Sequence, residues 1–190
     1  MNQFMSTVLN PEHIITQVKR IVESDRRSEI LHLAKGGNSI LVICEPDCEL
    51  IYIQTFRKNL EKERYCIIDL EEHLCQFISQ NKENIELLFE LKANFYKDIF
   101  KSPRKSNRVD LFTLIINSIK TALDKNTIPV LINMGVLYAT GIDNIHIMED
   151  STVMTSSKPL IILYPGTIED DRIMFLNSRP ANNYRCMIVK

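Results

Sequence analysis

Four strand-length apolar runs constrain this chain more than anything else in it: Ser39–Cys44 (SILVIC), Tyr65–Asp69 (YCIID), Pro129–Asn133 (PVLIN) and Leu160–Tyr164 (LIILY). Each is apolar almost without alternation, the pattern of a strand covered on both faces. The stretches between them are long enough for helical crossovers. Buried strands joined by helices imply a mostly parallel central sheet with helices on both faces. No repeat, low-complexity segment or dividing linker interrupts the pattern, so a single α/β domain over residues 1–190 is expected. Residues 1–38 would be an N-terminal helical segment packed on it.

The helical signals are specific. Asn10-Pro11 reads as a cap followed by proline at the first helical position, with Ile14, Ile15, Val18, Ile21 and Val22 at helical spacing behind it. A short helix over Ser28–Lys35 should end at Gly36-Gly37. Asp47 is placed to cap a helix whose Leu50, Ile53, Phe56 and Leu60 form one stripe, and Asp69 to cap another carrying Leu70, Leu74, Phe77 and Ile78. Lys82–Phe100 and Val109–Asp124 continue the series. Gly135–Gly141 should be irregular or briefly helical, with a further helix carrying Ile145, Met148 and Val153.

The closing stretch, LIILYPGTIEDDRIMFLNSRPANNYRCMIVK, keeps β-branched and aromatic residues to its last positions, which an unpaired segment would not. Tyr164-Pro165-Gly166 reads as a sharp stop to the fourth strand, because proline lacks a donor and glycine permits positive φ. Arg172–Leu176 and Tyr184–Val189 then suggest a C-terminal antiparallel hairpin at the sheet edge.

Totals exclude several function classes. The 23 basic and 24 acidic residues leave a net charge of −1, with no whole-protein steering toward nucleic acid or anionic lipid. No apolar run approaches the roughly 20 residues of a membrane span, and the opening MNQFMSTVLNPEHIITQVKR carries no secretory signal. Five scattered cysteines, an odd number among apolar residues, read as buried thiols of a reducing cytoplasm.

Ligands of open α/β sheets bind at the carboxyl ends of strands. After the first strand stands Glu45-Pro46-Asp47-Cys48-Glu49, without the glycines and lysine of a phosphate cradle and with three acidic side chains. The layout is P-loop-like without a phosphate-binding loop, and no cofactor is expected. Carboxylates could still hold a metal: Glu45, Asp47 and Glu49, Asp69 and Glu71, or Glu169, Asp170 and Asp171. Helix capping explains Asp47 and Asp69 better, and no metal is expected. His146 and Asp150 would share a helix face without a third ligand, and His73 with Cys75 or Cys44 with Cys48 lack the partners of a zinc pattern. The basic Lys101–Arg108 (KSPRKSNR) has no interleaved aromatic residue, so direct nucleic-acid binding is not expected. Two alternatives stay open: a metal-dependent nuclease or phosphoesterase using Glu45, Asp47, Asp69 and His146, and DNA binding through Lys101, Arg104, Lys105 and Arg108.

The run PLIILYPGTIEDDRIMFLN…NNYRCMIV resembles the end of the B component of BREX, the bacterial bacteriophage-exclusion systems, at Tyr164, Pro165, Gly166, Phe175, Asn183, Tyr184 and Arg185. ILVICEPDCELIYIQTFRKNL with YCIIDLEEHL is similar to that family around Pro46, Asp47 and Glu49. NMGVLYATGIDNIHIME is similar at Gly135, Tyr138 and His146, but departs from it with Ala139 in place of a proline and Asn144 in place of an arginine. The resemblance covers nearly the whole chain. It implies a non-catalytic member of an anti-phage system, encoded beside a methyltransferase, an ATPase and an alkaline-phosphatase-like Z component. The Z component is the direct partner it implies. Tyr164, Pro165, Gly166, Asn183, Tyr184 and Arg185 are the candidate partner-binding residues.

Overall fold

The structure is a computed structural model that describes residues 10–24, 27–90, 97–102, 109–170, 172–181 and 185–190. Helix α1 (Pro11–Glu23) starts as its sequence dictates: Asn10 Oδ1 accepts from the Glu12 amide at 3.0 Å, and proline fills the first position. After α2 (Arg27–Leu33) the chain turns at Gly36, whose φ of 84° suits glycine, and enters β1 (Ser39–Cys44), buried throughout. A 3-10 turn over Pro46–Cys48 leads to α3 (Glu49–Asn59), then β2 (Tyr65–Asp69) and α4 (Leu70–Gln80). The expected Lys82–Phe100 helix is described as α5 (Lys82–Glu90) and α6 (Lys97–Phe100). α7 (Leu111–Asp124) is capped by Asp110, which accepts from the Thr113 amide at 2.7 Å.

β3 (Ile128–Ile132) is followed by a 3-10 turn and by two short helices, α8 (Asn144–Met148) and α9 (Ser151–Met154), where one was expected. β4 (Leu160–Glu169), β5 (Arg172–Phe175), β6 (Arg179–Pro180) and β7 (Met187–Val189) complete the strands.

The sheet order is β2-β3-β4-β1-β7, every neighbouring pair parallel. Two apolar layers cover it. Ile14, Val18, Tyr52, Phe56 and Val42 cluster on the face of α1 and α3, while Phe77, Ile115, Ile147, Leu41 and Ile162 cluster on the face of α4, α7 and α8. Inside each strand, alternate residues feed alternate layers, which is why the runs are apolar without a break. Asn38, fully buried just before β1, donates to the carbonyls of Val153, Ser156 and Lys158 at 2.9–3.1 Å and ties the entry of β4 to that of β1. Among the described residues, no helix is long and apolar enough to cross a membrane.

Two expectations change at the closing stretch. Tyr164-Pro165-Gly166 does not end β4. The parallel pairing with β1 runs as far as Cys44 opposite Pro165, and from Gly166 the same strand pairs antiparallel with β5. Pro165 falls where one ladder hands over to the other, so its missing donor interrupts neither, and its carbonyl accepts from Leu176. Gly166 lies under the Met174 carbonyl, where a Cβ would not fit. The edge hairpin is therefore the far half of β4 with β5 and β6, and the last strand does not join it. β7 pairs parallel with β1, Ile40 opposite Met187 through Val42 opposite Val189.

Candidate functional site

From β1 the chain crosses to β2 at the far edge, steps back through β3 and β4, and passes over to β7. Connections leaving β1 and β4 thus run in opposite directions, and the carboxyl ends of these strands mark the place where such sheets bind ligands. Four residues from three elements meet beside it. Asp69 ends β2, and its Oδ1 accepts from the Glu71 amide at 3.0 Å and from Asn133 Nδ2 at 2.7 Å. Its Oδ2 accepts from Arg57 Nη2, near the end of α3, at 2.8 Å. Asn133 directly follows β3 at φ 60°, a left-handed conformation that asparagine tolerates. Glu49 opens α3. Burial, reinforced by the charge of Asp69 and opposed by the backbone of Asn133, pushes its carboxyl up from 4.5 to about 7, and its buried Oε1 has no hydrogen-bond partner among the described residues.

This arrangement ties α3, β2 and the end of β3 together and leaves little chemistry free. Asp69 already accepts from three donors, of the roughly four a carboxylate can take. His73 is equally committed: its Nδ1–H donates to the Asp69 carbonyl at 2.8 Å, leaving Nε2 to accept from the Ser118 hydroxyl at 2.7 Å. The turn after β1 is closed on itself, the Cys48 amide on the Glu45 carbonyl and the Glu49 amide on that of Pro46. Asp47 caps nothing: Cys48 occupies the cap position of α3 without a side-chain bond, because the 3-10 turn carries Asp47 past it. Leu50 also leaves its stripe. At the first turn it lies beyond the buried face of Tyr52, Ile53 and Phe56, and it is 64% exposed beside Ile51 at 53%.

The other candidates scatter. His146 Nδ1 accepts from the Asp143 amide at 3.0 Å, while Asp150 caps α9 through the Thr152 amide, so the expected shared helix face does not exist. Burial first, then the charge of Lys101, holds the His146 imidazole below its ordinary value against the pull of Asp143. Glu169 and Asp170 lie at the tip of the β4–β5 hairpin, away from the parallel ladder, and Asp171 is outside the described residues. Among the described residues, no three His, Cys, Asp or Glu side chains gather as a metal site. All five thiols are free. Burial drives Cys44 far upward and Cys186 to about 12. Of the basic stretch, Lys101 lies 5.5 Å from the Phe112 ring centre, and Arg104, Lys105 and Arg108 lie outside the described residues.

The six partner-binding candidates divide. Tyr164 is fully buried, its ring centre 5.0 Å from that of Phe175, and Pro165 and Gly166 are buried beside it. These three shape the core under the hairpin and present no side chain outward. Arg179 of β6 pins that hairpin to Asp143 at 3.5 Å, and the cavity left between them is only about 30 Å³, far below a substrate site. Arg185 is exposed and paired with Glu149 at 3.1 Å. Asn183 and Tyr184 lie outside the described residues. Ala139 stands at φ 66°, which proline cannot adopt, so this turn differs from the one a proline would build. Arg57 and Asn133 carry no motif. The available signal is position, a polar residue directly after a buried strand and a cation in the last turn of the preceding helix.

Compared with protein-family models, with curated proteins and with solved structures, the chain matches none.

Proposed function

We propose that this chain is a non-catalytic, cytoplasmic component of a bacterial anti-phage system of the BREX type, acting by holding a partner protein, the alkaline-phosphatase-like Z component. One observation carries the non-catalytic part of this reading. At the carboxyl edge, where a nucleotide-type α/β sheet would hold phosphate, the turn after β1 closes its own amides, contains Pro46 and carries acidic side chains. A phosphate there would meet like charge and find few donors. Exposed Leu50, Ile51 and Tyr138 supply apolar surface of the kind interfaces use. The name of the system and of its Z component rests on the sequence resemblance at Tyr164, Pro165, Gly166, Phe175, Asn183, Tyr184 and Arg185.

The test is co-purification of the full chain with the purified Z component. A stable complex at micromolar concentration is the expected result, and two separate peaks in size-exclusion chromatography would remove the reading. Isothermal titration with Mg²⁺, Mn²⁺ and Zn²⁺ addresses the enzymatic alternative. Heat on binding, abolished by Asp69→Asn, would favour that alternative over this one.

A further inference from the structure

β2 forms one end of the parallel ladder and, among the described residues, pairs with β3 alone. The Ile128 amide donates to the Arg64 carbonyl at 2.8 Å, which fixes the alternation. In a parallel ladder every second residue turns both peptide groups to its neighbour, so Arg64, Cys66 and Ile68 face β3 while Tyr65, Ile67 and Asp69 face away. The Tyr65 amide is taken by the Glu61 carbonyl at 2.9 Å, and the Asp69 carbonyl by His73. The Tyr65 carbonyl, both groups of Ile67 and the Asp69 amide remain without a strand partner among the described residues. They open into a groove of about 580 Å³, walled by the end of α3, the start of α4 and the turn before β3.

Unpaired edges of this length are usually blunted by charge. Here the exposed charges that line the groove without an ion pair among the described residues are Lys62 and Lys125 at the amino end of β2 and Glu72 at its carboxyl end, so cations outnumber the acid and gather at one end. Arg57, the third cation of the groove, is already held by Asp69. Lys62 and Lys125 repel another lysine-flanked edge and attract an acidic one. We infer that the open edge of β2 accepts an extended segment of a partner protein by strand addition, backbone to backbone at Ile67, with acidic side chains of that segment meeting Lys62 and Lys125 at the amino end of the edge, away from Glu72. This rests on the reading that the chain works by holding a partner, and it names the surface and the chemistry.

The probe is a synthetic strand peptide, Glu-Val-Thr-Val-Thr-Val-Glu, tested on the full chain beside a lysine-ended twin and a twin with proline at its centre. Hydrogen exchange should slow at the Ile67 and Asp69 amides with the glutamate-ended peptide and not with the proline twin. Lys62→Glu with Lys125→Glu should weaken the glutamate-ended peptide about 10-fold and favour the lysine-ended one, as expected for two exposed charge contacts. Ile67→Pro should abolish binding, and the lysine pair keeps the test decisive if that variant does not fold. Protection confined to β7, or no binding at millimolar peptide, overturns the inference. Neither result bears on co-purification with the Z component, which reports on the proposed function separately.

Discussion

β2 and β7 close opposite ends of one parallel ladder by different physical means. β2 is five residues long and lies between α3 and α4, its neighbours in sequence, with Arg57 and Asp69 joining it to the helix just before it. β7 is three residues long and reaches β1 only after the β4–β5–β6 excursion. Its seat is made by packing of remote segments. Gly37 lies against the Arg185 carbonyl so closely that a Cβ has no room, Cys186 and Val189 are buried, and Ile188 stays 45% exposed. An edge built from local contacts can keep an open groove beside it, whereas one assembled from distant segments needs its few contacts for attachment.

Substitutions can break that contrast, beginning with the largest effect. Ile68→Ala, at the buried inner side of β2, should cost about 2–4 kcal/mol, measured by urea unfolding. The loss should be global, because Ile68 belongs to the same apolar layer as Leu41 and Ile115. Gly37→Ala should cost about 1–3 kcal/mol through overpacking against backbone that has little room to move. Its loss should be confined to β7: Cys186 becomes open to alkylation, while amide exchange in β2 is unchanged. Equal loosening of both edges would show that they are not independent.

Next in size is the pH dependence set by Glu49, whose helix α3 joins the carboxyl edge to β2. The folded protein keeps this carboxyl protonated up to about 7, whereas the unfolded chain releases the proton near 4.5. The folded state therefore binds more protons in that window, so this contribution is complete below pH 4.5 and fades as pH rises through 7. Thermal unfolding should show part of the fall in Tm between pH 5 and pH 8 disappearing in Glu49→Gln. An unaltered slope would mean that the carboxyl does not feel its burial. The smallest effect belongs to Ile188→Thr, within about 0.5 kcal/mol by the same unfolding measurement, since that side chain is half in solvent. A larger cost would point to β7 being covered by something that holds Ile188.

Much of this architecture is legible in the residues. SILVIC, YCIID and LIILY are strands because their apolar runs are too short and too β-branched for buried helices, and Asn10 and Asp69 announce helix starts through local chemistry, whereas the helix expected from Val109 starts only after its cap, Asp110. Asp47 misleads because a cap also needs the right phase, and one 3-10 turn shifts it. His146 and Asp150 mislead for a related reason: spacing of four puts residues on one face only if the helix is unbroken, and here it ends at Met148. Asn133 and Arg57 are invisible as site residues because nothing local distinguishes them. They matter only where β2 and β3 lie side by side.

Residue pattern alone is enough for the four buried strands and most of the helices, for a mostly parallel sheet covered on both faces, and for a loop after β1 that lacks the residues of a phosphate cradle. These follow from periodicity, capping and side-chain chemistry, all short-range. Long-range packing settles that Tyr164-Pro165-Gly166 carries β4 from one ladder into another, that β7 joins β1 instead of β5, and that β2, among the described residues, is left with an open edge. Strand pairing is a competition among distant segments for the same backbone groups. Its outcome depends on where the glycines let chains approach and where proline lacks a donor, and no single stretch of residues contains that information.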